Sequence, residues 1–85
     1  MNKYTNMEMT ILDVIVDIYN EWGDYQFVGD ILDRLEDETE LNTKQARGVL
    51  SSLVKKDAIY ISREDDGLLS LLDDDYRSKV KIFNE

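Results

Sequence analysis

The sequence predicts a mainly α-helical fold with a small β-hairpin, which places it in the α+β class. Apolar residues recur at helical spacing in three segments, and the last of these segments leads directly into two short strands. The chain of 85 residues also contains no proline, which favours a helical protein over a loop-rich one. We therefore predict one domain over residues 1–85, with a core from about 6 to 72 and a C-terminal extension over 73–85.

The first helix has clear signals at both ends. Thr5 and Glu8 have the spacing of a capping box, in which each side chain bonds a free backbone N–H group. The helix is expected to run from about Asn6 to Trp22. Gly23 suits the left-handed position that ends many helices.

Apolar side chains cover roughly 200° of this helix, against about 100° for a typical surface helix. The polar positions form a single stripe: Thr10, Asp13, Asp17, Asn20 and Glu21. Two interpretations are open. In one, the C-terminal extension packs over the second flank of the helix. In the other, Leu12, Val16 and Tyr19 form a surface for self-association or for a partner, because large exposed apolar patches mark interfaces.

The next segment predicts a short strand and a second helix. Residues 25–27 alternate in character but are too few for more than a single edge strand. Apolar residues at helical spacing then predict a helix over about residues 28–36. The acidic stretch over residues 36–40 is expected to be a solvated connector, after which Leu41 enters the core.

The third helix is predicted over residues 42–56. Asn42 is a good N-cap, and Gln45 completes a variant of the capping box. The stripe expected to be buried comprises Ala46, Val49, Leu50, Leu53 and Val54. The opposite side centres on Lys44, Gly48, Ser51 and Lys55, has Arg47 and Ser52 on its flanks, and contains no carboxylate. This side is either a plain solvated surface or a contact surface for phosphates or acidic side chains.

A hairpin and a short tail follow. Residues 59–63 alternate at period two, with Ile59 and Ile61 directed inward. Asp66-Gly67 is a strong turn signal, and residues 68–72 are expected to pair back. In the tail, the spacing of Tyr76, Val80 and Phe83 predicts a short helix with one apolar side. This tail either closes over the first helix or serves as a dimer arm.

The net charge of −9 is unevenly distributed. Residues 1–41 hold two cationic side chains and eleven carboxylates, whereas residues 42–57 hold four cations and only Asp57 as an acid. Residues 58–76 hold Arg63 against six carboxylates. The overall charge opposes the approach of a polyanion, but the third helix is locally basic and has acidic neighbours on both sides.

Several classes of function are not expected. The chain has no cysteine and no histidine, which removes the usual thiolate nucleophile, general base and metal ligands. No glycine-rich phosphate loop or calcium-loop spacing is present. We therefore expect a non-enzyme without metal or cofactor. No apolar run approaches the roughly 20 residues of a membrane span, and the first six residues do not resemble a signal peptide, so a cytoplasmic protein is expected.

At this point the chain resembles the winged helix-turn-helix superfamily, including small bacterial and phage regulators. The resemblance covers about residues 11–72 and rests on the order helix, strand, helix, helix, hairpin and on LNTKQARGVLSSLVKKDAIYISREDDG. It implies a third helix that lies in a DNA major groove. The positions it implies for DNA contact are Thr43, Lys44, Gln45, Arg47, Gly48, Ser51 and Lys55. Gln45 would contact adenine and Arg47 guanine, while Lys55 would contact phosphate.

The hairpin, called the wing in this superfamily, departs from the pattern. Its tip has three carboxylates, Glu64, Asp65 and Asp66, where DNA-binding wings often have cations, and only Arg63 is basic. Such a tip would be repelled by a phosphate backbone. The wing therefore stays clear of DNA, or the domain does not bind DNA in the usual way.

Three functions follow from these observations. The leading one is a DNA-binding transcriptional regulator that contacts double-stranded DNA with residues 42–56, with both the monomer and the homodimer left open as its assembly. The alternative is an acidic, phage-type winged-helix protein that binds a host protein such as RNA polymerase or a defence nuclease, in which its carboxylates imitate DNA phosphates. The third is a subunit domain whose winged helix serves assembly alone.

Overall fold

The computed structural model describes residues 3–23, 26–64 and 67–83. Its elements in chain order are α1 (Asn6–Trp22), β1 (Gln26–Phe27), α2 (Val28–Glu38), α3 (Thr43–Lys55), β2 (Ile59–Ser62), β3 (Leu68–Leu71), α4 (Asp74–Arg77) and a 3₁₀ turn (Lys81–Phe83). The protein is thus mainly helical with a small antiparallel sheet, as predicted. The order of the first six elements is also the predicted one.

Both predicted ends of α1 are confirmed. The Glu8 backbone N–H donates to the Thr5 hydroxyl, and the Thr5 N–H donates to the Glu8 carboxylate at 2.7 Å. At the other end, Gly23 has φ of +94° and its N–H donates to the Tyr19 carbonyl. A positive φ is strained for a residue with a Cβ atom, so glycine is the residue suited to end this helix.

The wide apolar arc of α1 is covered by the same chain. Leu12, Val16 and Tyr19 are only 0%, 6% and 2% exposed. The Tyr19 ring lies 5.7 Å from the Phe83 ring, and its hydroxyl donates to the Leu69 carbonyl at 2.7 Å. The interpretation in which the C-terminal extension packs over α1 is confirmed. The alternative is corrected, because these three side chains are buried in the core and leave no exposed patch for a second copy or a partner.

The end of α1 and the tail differ in detail from the predictions. Trp22, which belongs to the apolar arc by sequence, is the last residue of α1 and is 73% exposed. The predicted single tail helix is instead the four-residue α4, capped by Asp73, followed by a separate 3₁₀ turn. Tyr76 and Val80 are still buried in the common core. Asn20 of α1 holds the tail by bonding the Lys79 carbonyl and the Lys81 N–H.

The sheet has the strand order β1-β3-β2, and both pairs are antiparallel. β1 is therefore an edge strand, as predicted, although Tyr25 lies outside the described residues. Ile59 is buried and Ile61 is half-buried, which agrees with their predicted inward direction. The hairpin closes on Gly67, which has φ of +82° and donates to the Ser62 carbonyl. Asp66, the first residue of the predicted turn, lies outside the described part of the chain.

α2 is longer than predicted. It begins at Val28 as expected but ends at Glu38, so the first half of the acidic connector is helical. The Arg34 guanidinium lies 3.6 Å from the Glu38 carboxylate one turn later and 2.6 Å from Glu21 on α1. An ion pair at this spacing supports the last helical turn. Leu41 is half-buried against the core, as predicted.

A buried carboxylate joins the start of α1 to the end of α3. Glu8 is 2% exposed and accepts from the Lys56 ammonium at 2.7 Å, from the Ser52 hydroxyl and from the Thr5 N–H. Burial alone raises the pKa of Glu8, but the bonds from Lys56, Ser52 and Thr5 outweigh it and lower the pKa to about 2. Lys56 also donates to the Lys3 carbonyl, which holds the N-terminal segment against the helices.

Two adjacent lysines give a matched test of this network. Lys56→Met leaves Glu8 buried without its cation, and we expect a loss of about 2 kcal/mol in the free energy of unfolding. The loss is smaller than for a fully buried pair because Lys56 is itself 34% exposed. Lys55→Met removes the same charge from an exposed position, and we expect a change within about 0.5 kcal/mol. Urea unfolding followed by circular dichroism measures both. Equal losses for the two variants would contradict the assignment.

The low pKa of Glu8 also predicts a pH dependence. The folded pKa of about 2 lies below the ordinary value of 4.5, so the stabilisation is fully present above pH 4.5 and is lost as the pH falls towards 2. Glu8→Gln should therefore be less stable than the natural chain at neutral pH, and the difference should shrink across this window. The other carboxylates titrate in both chains, so their contribution cancels in the difference between the two free energies of unfolding. A difference that is constant with pH would show that Glu8 is not the titrating group.

Candidate functional site

The candidate site begins with the orientation of α3. The Gln45 N–H donates to the Asn42 side chain at 2.8 Å, and the Asn42 N–H donates to the Gln45 side-chain oxygen at 3.1 Å. The predicted capping box is therefore confirmed. It also bears on the predicted contact of Gln45 with adenine, since that bidentate contact needs the same amide oxygen. In this structure the oxygen belongs to the helix cap.

One side of α3 faces away from the core. Lys44 and Lys55 are eleven positions apart and differ by only about 20° around the helix axis. The exposed residues on this side, which we call the outer face of α3, are Lys44, Arg47, Gly48, Ser51 and Lys55. Thr43 and Gln45 are exposed at its N-terminal end. The predicted site residues are therefore brought together on one accessible surface.

The opposite side of α3 packs inward as predicted. Ala46, Leu50 and Leu53 are buried, and Val49 and Val54 are half-buried against the core. Two of the polar residues near the outer face are not available for a partner. Ser52 donates to Glu8, and Lys56 forms the ion pair with the same carboxylate.

The three cations of the outer face remain unpaired within the described residues. Lys44, Arg47 and Lys55 form no ion pair and no hydrogen bond with any described side chain. Exposed cations without internal partners are free to exchange water for an external anion. Their alignment on one side of a straight helix makes the outer face a continuous cationic strip.

The middle of this strip is flat. A Cβ atom built on Gly48 meets no heavy atom within 4 Å, so the residue faces open space. Neither the packing of the core nor a positive φ requires glycine here. Glycine in a helix interior lowers stability by about 1 kcal/mol relative to alanine. Glycine at this position leaves room for an external surface to approach the helix closely.

A groove lies beside the outer face, between α3, the start of α2 and the β2–β3 hairpin. This wing groove has a volume of about 660 Å³. Its cationic lining residues are Arg47, Lys55 and Arg63, and its apolar lining residues are Val28, Leu50, Val54 and Ile61. None of the described residues that line it is a carboxylate.

Sequence reasoning missed this groove. In the sequence, Arg63 belongs to the wing, Val28 to the second helix and Ile61 to a strand, and no local pattern joins the three. The groove exists because the antiparallel hairpin returns beside the start of α2, where the Val28 N–H donates to the Gly67 carbonyl. The one available signal was the alternation of residues 59–63, which places Ile61 and Arg63 on the same side of the strand.

The exposed sides of α1 and α2 are strongly acidic. Exposed carboxylates follow α1 and α2: Asp13, Asp17, Glu21, Asp30, Asp33, Glu36 and Asp37. At the wing tip, Glu64 is exposed, whereas Asp65 and Asp66 lie outside the described residues. Over 3–23, 26–64 and 67–83, no group of three or more acidic side chains is arranged to hold a metal ion. Over the same ranges, no helix has the length and apolar character needed to cross a membrane.

Comparisons of the chain with protein-family models, with curated proteins and with solved structures find no match. The function therefore has to be argued from the geometry and charge of the outer face and the wing groove.

Substitution of Gly48 tests whether a partner makes close contact with the outer face of α3. Gly48→Ala should raise the free energy of unfolding by up to about 1 kcal/mol, because alanine is the better helix former and its methyl group meets open space. If a partner approaches the outer face closely, the same variant should bind that partner less tightly. Thermal unfolding and a binding titration on the same samples measure the two effects. A gain in stability with unchanged binding would argue against close contact at Gly48.

Proposed function

We propose that this chain is a small winged-helix DNA-binding transcriptional regulator that places α3 in the major groove of double-stranded DNA. The observation that carries the proposal is the cationic strip: Lys44, Arg47 and Lys55 are exposed on one side of the helix and lack partners among the described residues. The order α1-β1-α2-α3-β2-β3 supports it, because winged-helix proteins with this order contact DNA through the corresponding helix.

Each residue of the outer face has a chemical role in this proposal. Arg47 can donate two parallel hydrogen bonds to the O6 and N7 atoms of guanine. Lys44 and Lys55 neutralise phosphates at the two ends of the helix, and Thr43 donates to a phosphate near the N-terminus. Gly48 and Ser51 allow the helix to lie close to the base edges. Gln45 keeps its cap and contributes only its amide N–H groups.

The net charge of −9 affects the direction from which DNA would approach and the affinity of the complex. Apart from the buried Glu8, the carboxylates of α1 (Asp13, Asp17 and Glu21) are on the exposed side of that helix, whereas its other sides pack against α2, α3 and α4. The molecule is therefore polarised between α1 and α3, and a duplex is attracted towards α3 rather than towards α1. We expect a modest affinity that is lost quickly as salt is added, because few phosphates are neutralised against a repulsive background.

The test compares single cation removals. Lys44→Ala and Arg47→Ala should each weaken retention of a mixed-sequence duplex by about tenfold or more at low salt. Lys81→Ala removes the same charge from an exposed position in the tail and should leave binding close to that of the natural chain. Fluorescence anisotropy with a labelled duplex measures the affinities, and circular dichroism checks the fold. For Lys44→Ala, the slope of log affinity against log salt should also fall by about one.

Two results would end this proposal. One is a natural chain that fails to bind mixed duplex DNA even at the lowest salt, where phosphate attraction is strongest. The other is an equal effect of all three substitutions, which would show that total charge rather than the outer face governs binding.

A second candidate function is supported by the acidic surface. The exposed carboxylates of α1 and α2 suit a phage-type protein that binds a nucleic-acid channel in a host protein, such as RNA polymerase or a defence nuclease, by imitating phosphates. Asp13 and Asp17, one helical turn apart on α1, are the central pair. Capture from a host lysate with and without nuclease treatment separates the two functions. A specific protein retained after nuclease treatment, and lost in Asp13→Asn/Asp17→Asn, would favour the second.

A further inference from the structure

The wing groove has features that contact with DNA does not explain. Its floor is apolar, formed by side chains that are only partly covered by the chain, namely Val28, Val54 and Ile61. Its rim is cationic, formed by Arg47 and Lys55 on α3 and by Arg63 at the end of β2. The phosphate groups of DNA would use the rim but have no apolar part to place on the floor. The natural occupant should carry both negative charge and an aliphatic surface.

We propose that the wing groove binds a short acidic–apolar peptide segment of a partner protein. In this arrangement an aliphatic side chain packs on Val54 and Ile61, and flanking carboxylates pair with Arg47, Lys55 and Arg63. The groove volume of about 660 Å³ is of the size that holds a few residues of extended chain or a drug-sized molecule. Charge complementarity favours this occupant, since the described lining contains three cations and no acid.

Arginine and lysine at the rim suit carboxylates in different ways. Arg47 and Arg63 present planar guanidinium groups that bond a carboxylate through two parallel N–H donors, whereas Lys55 acts as a point charge. The two arginines belong to different elements, one on α3 and one on the wing. A peptide that pairs with both would therefore bridge the helix and the hairpin. A single bound anion could pair with one of them and leave the floor uncovered.

Two of these cations also belong to the surface that is proposed to contact DNA. The consequence of this overlap rests on the proposed function. Arg47, Ser51 and Lys55 lie on the outer face of α3 and also line the wing groove. One cation cannot pair fully with a peptide carboxylate and a DNA phosphate together. Peptide binding should therefore release DNA, and an acidic partner would act as an anti-repressor or anti-activator. Lys44 is outside the groove lining, and Arg63 is outside the outer face, so the two ligands can be separated by mutation.

The experiment uses the full chain and short fluorescent peptides, measured by anisotropy without DNA. The test peptide has a leucine flanked by glutamates. The comparators are the same peptide with glycine for leucine, the same peptide with glutamine for each glutamate, and inorganic phosphate as a competitor. We expect the test peptide to bind and the glycine comparator to bind about tenfold or more weakly, because it cannot cover the floor.

Matched variants locate the binding site. Arg63→Met should weaken the test peptide by about two- to fivefold, the effect of one exposed ion pair. Ile61→Thr should weaken the test peptide but not the glycine comparator. Lys44→Met, with the same loss of charge outside the groove, should leave peptide binding unchanged. Because Arg63 is exposed, its variant is expected to fold normally, and this keeps the test decisive if Ile61→Thr is unstable.

The proposal is overturned if the test peptide does not bind, if the glycine comparator or phosphate binds equally well, or if Lys44→Met and Arg63→Met have the same effect. Equal binding of the glycine comparator or of phosphate would show a simple anion site. Association of the chain with itself, detected by light scattering and blocked by Arg63→Met, would show that a second copy is the occupant instead. None of these measurements contains DNA, so a failure of the proposed DNA binding would leave the result for the peptide intact.

Discussion

The ion pair between Glu8 and Lys56 determines which side of α3 is available to a partner. Ser52 and Lys56 are one turn apart on that helix, and both bond the Glu8 carboxylate at the start of α1. This contact fixes the rotation of α3 about its own axis, because it holds one longitudinal line of the helix against α1. With that line against α1, and with Ala46, Leu50 and Leu53 in the core, the outer face of α3 is directed away from both. Of the two neighbouring lysines, Lys56 therefore stabilises the packing of α3 on α1, whereas Lys55 lies at the surface. A buried carboxylate without a partner would be costly, so the pair also disfavours other rotations of α3.

A second constraint is the wide apolar arc of α1. A helix that is apolar over roughly 200° needs contacts on two flanks, and α3 alone cannot provide both. The second flank is covered by α4 and the 3₁₀ turn, which bring Tyr76, Val80 and Phe83 against α1. The tail is therefore part of the core although it follows the sheet in sequence. This covering also buries Leu12, Val16 and Tyr19, so the remaining surface of α1 is its acidic stripe. Packing of the tail is in this way the origin of the polarised charge distribution.

The sequence predicted features that depend on near neighbours, and it missed those that depend on distant ones. The capping boxes at Thr5 and Asn42, the positive φ of Gly23 and the buried stripe of α3 involve residues within a few positions of each other, and they were found. The last two residues of α2 were missed: Arg34 pairs with Glu38 at a local spacing, but its position also depends on Glu21 and thus on how α1 and α2 pack. Glu8 was recognised as a capping residue, but its burial against Lys56, 48 positions later, has no local signature. For the same reason the sequence does not distinguish Lys56 from the exposed cations of α3, and it does not predict the wing groove, which forms from three separate segments.

The net charge and the local charge act over different distances, and this difference governs what α3 can bind. At physiological salt the repulsion from the carboxylates of α1 and α2 is screened beyond about 8 Å. Contacts within the wing groove are closer than this and are partly shielded from solvent, so they are screened less. A ligand whose phosphates extend far from α3 is repelled by these carboxylates. A ligand held by a few close contacts is repelled much less. The apolar floor beside Arg47 and Lys55 adds an interaction that salt does not weaken. An acidic protein with one cationic strip is therefore suited to partners that fit the surface closely, and affinity should depend more on shape than on total charge.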